Sequence, residues 1–172
     1  MATVQAASSV RPRLHIARWW IWGLPISFLV HDGEEAIVIV NEGGLFRGGE
    51  LILTTSQALA AMGLELTSLS LLALFAARAA RPGWAVRAFT VMLAAWTLHG
   101  LAHLASGVAA DGYALGVVTA VPACLAYGCL ALHRLLADGL LDRRWLIGAL
   151  VGGAALAAPL LMLVHAFGRL VA

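Results

Sequence analysis

Five apolar stretches, at residues 18–40, 51–77, 84–108, 113–136 and 145–171, decide what this chain can fold into. Each is about 22–27 residues long, enough for a helix to cross a hydrocarbon core about 30 Å thick with some tilt. Lipid offers the backbone no hydrogen-bond partners, so a lone segment of this length satisfies itself as a helix. The connections are short: a glycine-rich turn at 41–50, a Pro82-Gly83 break, residues 109–113, and a polar loop ahead of Trp145. Composition agrees, with 62% hydrophobic and 12% charged residues and a mean hydropathy of +0.90; a soluble domain has roughly 45–50% and 25%. The expectation is an all-α polytopic membrane bundle of about five transmembrane helices. It forms one domain over 18–172, behind a flexible cytoplasmic tail at 1–17.

Arginine placement orients the bundle. All eleven basic residues are Arg. Arg11, Arg13 and Arg18 precede the first span, Arg78, Arg81 and Arg87 lie between the second and third, and Arg134, Arg143 and Arg144 lie between the fourth and fifth. Only Arg47 and Arg169 fall on the other side. By the positive-inside rule the N-terminus is cytoplasmic and the C-terminus outside, which points to a multi-pass protein of the bacterial inner membrane. Trp19, Trp20, Trp22, Trp84 and Trp145 read as interfacial anchors on the cytoplasmic side. Pro25 is expected to kink the first span. The positive charges ahead of an apolar run resemble a signal peptide, but HDGEE follows instead of a small-residue cleavage site, so the run reads as a retained helix. Cys124 and Cys129 have neither metal-knuckle nor disulfide-framework spacing and read as buried, inert thiols. Nucleic-acid binding has no support, because the arginines are spread over loops as topology signals.

The first span carries four ionisable groups, His31, Asp32, Glu34 and Glu35, in five positions. Each costs roughly 2.5–3.5 kcal/mol at a membrane-helix centre on insertion scales. A merely structural helix would not carry that burden. With about 100° between successive residues, Glu35 falls about 40° from His31, Glu34 and Ser27 about 60° and 40° to the other side, and Asp32 about 100° away. The third span places His99 and His103 one turn apart on one face, extended by Ser106. The second carries Glu65, with Ser68 and Gln57 to one side. All three polar stripes lie about 12–19 residues from the cytoplasmic ends, in the middle to outer half of the membrane at about 1.5 Å per residue. They can therefore meet around one interior site if the helices are neighbours. Side chains of His31 and His103 should then lie well within about 10 Å of each other.

Imidazoles and carboxylates at i,i+3 and i,i+4 spacing suit a borderline divalent metal such as iron or zinc, with one or two ions. Helix-bundle di-iron proteins draw Glu and Glu-x-x-His ligands from facing helices, and His31-x-x-Glu34 sets the same groups one turn apart in reverse order. His31, Glu34, Glu35, His99, His103 and Glu65 are the candidate ligands, with Glu35 and Glu65 also the candidate catalytic bases. Asp32 is a candidate for orienting an imidazole. Blander readings exist: a charge-paired cluster that only fixes helix packing, hydrogen-bonded core histidines, and a Glu65 that is protonated and bonded to a neighbouring helix. His15 and His133 read as solvated at the cytoplasmic face, and His165 as an interfacial residue near the outer surface.

His31-Asp-Gly-Glu34-Glu35 on a first membrane helix resembles the signature of the HXXEE-domain family, bacterial membrane proteins of unassigned function. The family's second motif, Asn-x-x-x-His, is matched by His99-Gly-Leu-Ala-His103, with His99 standing where Asn is usual. Pro122 matches a later proline. The resemblance covers about residues 19–136. It implies a membrane protein with a shared polar site and supplies no reaction.

The leading functional expectation is a small integral-membrane metalloenzyme acting on a lipophilic small molecule, a non-haem iron oxidoreductase or a metal-dependent hydrolase. The alternatives are a proton or metal-cation transporter and an accessory subunit without catalysis. Five spans show no evident inverted repeat, which speaks against transport, although a homodimer could still make a pathway.

Overall fold

The computed structural model describes residues 20–79 and 83–172. The expected N-terminal tail, Arg18, Trp19 and Arg81 lie outside the described residues. The chain forms α1 (Gly23–Glu42), a hairpin of β1 (Gly44–Arg47) and β2 (Glu50–Thr54), α2 (Thr55–Arg78), α3 (Trp84–Ala109), α4 (Val117–Ala137) and α5 (Arg143–Val171). Among the described residues it is a helical bundle with five helices, of which α2 to α5 are long and apolar enough to cross a membrane. The 20 residues of α1 span about 30 Å; its acidic residues are what set it apart from the other four.

Local chemistry explains where the elements depart from the five apolar stretches. Residues 51–54, expected inside the second span, pair with 44–47 as an antiparallel hairpin. Gly48 and Gly49 both have positive φ, 59° and 84°, as a two-residue hairpin turn demands. The second helix therefore starts at Thr55. Thr54 and Gln57 cap it reciprocally, the Gln57 backbone N–H donating to the Thr54 hydroxyl at 3.4 Å and the Thr54 backbone N–H to the Gln57 side-chain Oε1 at 3.1 Å. Gln57 thus serves the helix start and is no part of a polar stripe. The fourth helix starts at Val117 rather than Tyr113. Pro25 sits in the first turn of α1, where a missing N–H removes no helical hydrogen bond, so the kink expected there has no cause. Pro159 lies inside α5, and Pro122 inside α4. Pro122 falls in a π-helical segment, Ala120–Ala126, of the kind that often marks a functional region. Within it the Tyr127 amide bonds to the Pro122 and Cys124 carbonyls and passes over that of Ala123, which accepts instead from the Trp96 indole at 3.4 Å.

The helix α3 is central and packs against α2, α4 and α5, while α1 packs against α2 and α4. The main core gathers Leu24 and Phe28 of α1, Leu69 of α2, Phe89, Leu93 and Trp96 of α3 and Leu135 of α4. Between α1 and α3, Phe28 and Trp96 meet with ring centroids 5.3 Å apart. Trp20 is no interfacial anchor: it is buried in this core, and its carbonyl accepts from the Tyr127 hydroxyl at 2.9 Å. Trp22 and Trp84 are exposed, and Trp145 lies under the Arg87 guanidinium, 5.1 Å from its ring. Cys124 is buried as expected, whereas Cys129 is exposed. A second cluster of Ile39, Leu53 and Ala58 seats the hairpin on α1 and α2, and Arg169 of α5 donates to the Ile52 carbonyl at 3.3 Å.

Candidate metal centre

Helical spacing brings four potential ligand atoms together. On α1, His31 and Glu35 are one turn apart, with His31 Nε2 3.6 Å from Glu35 Oε1. On α3, His99 and His103 are one turn apart, with their Nε2 atoms separated by 2.8 Å. Across the gap, His31 Nε2 lies 3.2 Å from His99 Nε2, and Glu35 Oε1 lies 3.4 Å from His103 Nε2. All four atoms fall within 4.8 Å of one another, and the group could hold a metal ion. Four ligands at about 2.0–2.1 Å around a tetrahedral ion would be about 3.3–3.4 Å apart. Three of the observed separations lie within a few tenths of that edge, and the His99–His103 pair is shorter. The His31 and His103 rings are 4.7 Å apart at their centroids, well inside the expected limit. His31 is fully buried, and the side chains of Glu35 and His103 are each 14% exposed, so the group is sealed on the core side and open at its edge.

The wall and roof of the group come from aromatic residues and from the α3–α4 connection. Trp96 stacks on His99, with planes 18° apart, and meets the edge of His31. The connection folds back over the opposite side. The Leu115 carbonyl accepts from His103 Nδ1. That contact requires the proton on Nδ1, which leaves His103 Nε2 as a bare lone pair aimed into the group. Gly116 follows with φ +74°, and a Cβ placed there would lie 2.6 Å from Glu35 Oε1, 2.7 Å from His31 Cε1 and 2.9 Å from His103 Cε1. Only a glycine in a left-handed conformation lets the backbone come this close.

Glu34 was expected among the ligands; the structure places it outside the four-residue group. Its Oε2 accepts from the Thr119 hydroxyl at 2.7 Å and the Thr119 amide at 2.9 Å, and its Oε1 accepts from the Tyr113 hydroxyl at 2.9 Å and the Val118 amide at 3.4 Å. Glu34 therefore serves the start of α4, where free N–H groups and the helix dipole favour an anion. Glu65 also lies outside the four-residue group. Asp32 is buried, but Thr119 and Leu115 are the groups that bond His31 Nδ1 and His103 Nδ1. Ser27 and Ser106 bond to carbonyls of their own helices, Leu24 and Ala102, and contribute nothing to the group.

Comparison with known proteins adds one decisive match. A family described as proteins of unknown function with an HXXEE motif matches residues 22–131. The chain belongs to the HXXEE family. No curated protein and no solved structure matches it. In this HXXEE protein the motif divides its labour by helical angle: the first and last letters, His31 and Glu35, join the ligand group, and the middle carboxylate, Glu34, turns towards α4. The matched region also contains His99, His103, Gly116 and Thr119.

Sequence reasoning missed Trp96, Leu115, Gly116, Thr119 and Tyr113. A signal existed for the connection: Gly112 and Gly116 flank Tyr113-Ala-Leu ahead of the apolar run, a pattern of chain reversal. Reading the fourth span from Tyr113 hid it.

Proposed function

We propose that this HXXEE protein is an integral-membrane metalloenzyme that holds a divalent cation on His31, Glu35, His99 and His103 and acts on a lipophilic small molecule. The carrying observation is the convergence of three imidazole Nε2 atoms and one carboxylate oxygen from two helices within 4.8 Å. Packing histidines have no reason to aim their nitrogens at one another. Neutral rings that do so bring lone pairs together with too few protons to bond them, and a cation relieves this. Three nitrogens and one oxygen suit zinc or iron; the set lacks the all-oxygen shell of calcium and the thiolates of a Cu(I) site.

A bound ion of this kind would polarise a substrate oxygen or activate a water or oxygen molecule. With mixed imidazole and carboxylate donors we favour a non-haem iron oxidoreductase over a hydrolase. The chain's own contribution is legible. Trp96 and Phe28 exclude water from the core side. The second oxygen of Glu35 is our candidate to take and return a proton, with Glu65 of α2 as the alternative base. The group sits in a bundle whose other helices are long and apolar enough to cross a membrane, which is the support for a lipophilic substrate over a solute.

The test is element analysis of the detergent-purified protein beside His31→Ala and Glu35→Gln. Stoichiometric iron or zinc in the wild type, lost in both variants while the proteins still insert and fold, is the expected result. Absence of metal from all three after metal supplementation would remove the reading and leave a structural role.

A further inference from the structure

Resting on that metal-site reading, we propose that Glu34 is a positioning residue that acts through the Thr119 hydroxyl to hold His31 in the tautomer whose Nε2 is bare. Thr119 Oγ1 sits 2.7 Å from Glu34 Oε2 and 2.9 Å from His31 Nδ1. A carboxylate only accepts, and a hydroxyl has one proton to give. Glu34 is ringed by donors, the amides of Val118 and Thr119 and the hydroxyls of Tyr113 and Thr119, and it faces a helix start. This setting favours the ionised form. The Thr119 proton therefore goes to Glu34, and Oγ1 faces His31 as an acceptor. His31 Nδ1 must then carry the ring proton. A neutral imidazole has only one, so Nε2 keeps its lone pair, pointed at His99 Nε2 and Glu35 Oε1.

The arrangement fits the wider pattern in which the far nitrogen of a ligating histidine is held by a hydrogen-bonded partner that fixes ring and tautomer. It differs from His103, whose Nδ1 is held by a backbone carbonyl and needs no other residue. The two rings thus reach the same tautomer by separate routes, and only that of His31 depends on a motif carboxylate. This gives a physical reason for two adjacent acids in the motif. The first orients an imidazole through a hydroxyl on α4, and the second joins the ligand group.

The experiment reads the tautomer without metal and the affinity with it. The ring ¹⁵N shifts of His31, assigned by their loss in His31→Ala, are recorded on the metal-free, detergent-purified full chain. Cobalt(II) is then titrated into the same samples. The wild type and Thr119→Ser should show His31 as Nδ1–H and bind cobalt alike. In Glu34→Ala the Thr119 proton is free to turn to Nδ1, so His31 should shift towards Nε2–H and cobalt affinity should fall about 10–100-fold, the usual cost of losing such a partner. Thr119→Val should fall similarly, and the double variant no further than either single one. A His31 that stays Nδ1–H in Glu34→Ala, or additive losses in the double variant, would overturn the proposal. Should Glu34→Ala not fold, the near-isosteric Thr119→Val decides alone, and an unchanged Nδ1–H tautomer there overturns it. A wild type that takes up no cobalt refutes the metal reading instead, while the metal-free tautomer measurement still decides the role of Glu34.

Discussion

Adding one methyl group at Gly116 should damage the ligand group far more than it damages the fold. Its φ of +74° costs an L-residue about 1–2 kcal/mol, and forcing a carbon into filled space adds about 1–3 kcal/mol. The total, about 2–5 kcal/mol, is a large part of the roughly 5–15 kcal/mol that holds a domain folded, but it leaves the chain able to fold. The local effect is harsher. The new Cβ would stand 2.6 Å from Glu35 Oε1, 2.7 Å from His31 Cε1 and 2.9 Å from His103 Cε1. Comfortable non-bonded contact is about 3.5 Å or more, so each ligand must retreat by about 0.5–1 Å, against the tolerance of about 0.2 Å that a metal–ligand bond allows. Three of the four residues of the group are displaced together. Cobalt(II) affinity of Gly116→Ala should therefore fall by at least about 10–100-fold, with a lowered melting temperature. Gly43→Ala separates contact from strain: it carries a similar φ of +78° and has nothing within 4 Å of its Cβ. It should lose stability and keep cobalt. A Gly116→Ala protein that binds cobalt as the wild type does would refute the packing of the 113–119 segment onto the group.

Two further predictions rest on the group's geometry and on the arginine distribution. His99→Asn, which restores the residue usual in the resembled motif, withdraws the Nε2 that lies 2.8 and 3.2 Å from its neighbours; it should cut cobalt affinity at least about tenfold with the circular dichroism unchanged, and an unaltered titration would show that His99 is no ligand. Reporter fusions at Ala2 and Ala172 should place the first in the cytoplasm and the second outside, and finding both ends on one side would eliminate five crossings.

Helices and their number were legible in the residues because hydropathy acts locally. An apolar run of sufficient length must close its own backbone hydrogen bonds in lipid, whatever its neighbours do. The i,i+4 pairs were legible for the same reason: His31 with Glu35, and His99 with His103, share a face by the pitch of a single helix. That one face of α1 would meet one face of α3 was a guess from depth, and the structure brings the two pairs together. Where sequence reading went astray, short-range geometry had been overruled by a specific partner. Trp20 has the composition of an interfacial anchor, but a core position and the Tyr127 hydroxyl claim it. Residues 51–54 are apolar enough for a helix, but the Gly48-Gly49 turn pairs them as a strand.

The amino-acid sequence by itself determined a membrane bundle, the two histidine-bearing faces and a motif with two acids, since each follows from composition or from the period of one helix. Only the tertiary structure decided which acid does what. Glu34 and Glu35 are chemically identical neighbours, and helix pitch sets them on two sides of His31 without saying what either side meets. The about 100° between them sends one carboxylate to the imidazoles of α3 and the other to the first amides of α4, and where those helices stand is set by packing across the whole bundle. The same holds for Gly116 and Thr119, 85 and 88 residues from Glu34 and His31 in the Thr119 contacts. A residue that shapes a site from so far along the chain leaves no periodic trace, because its role exists only once the helices have closed around it.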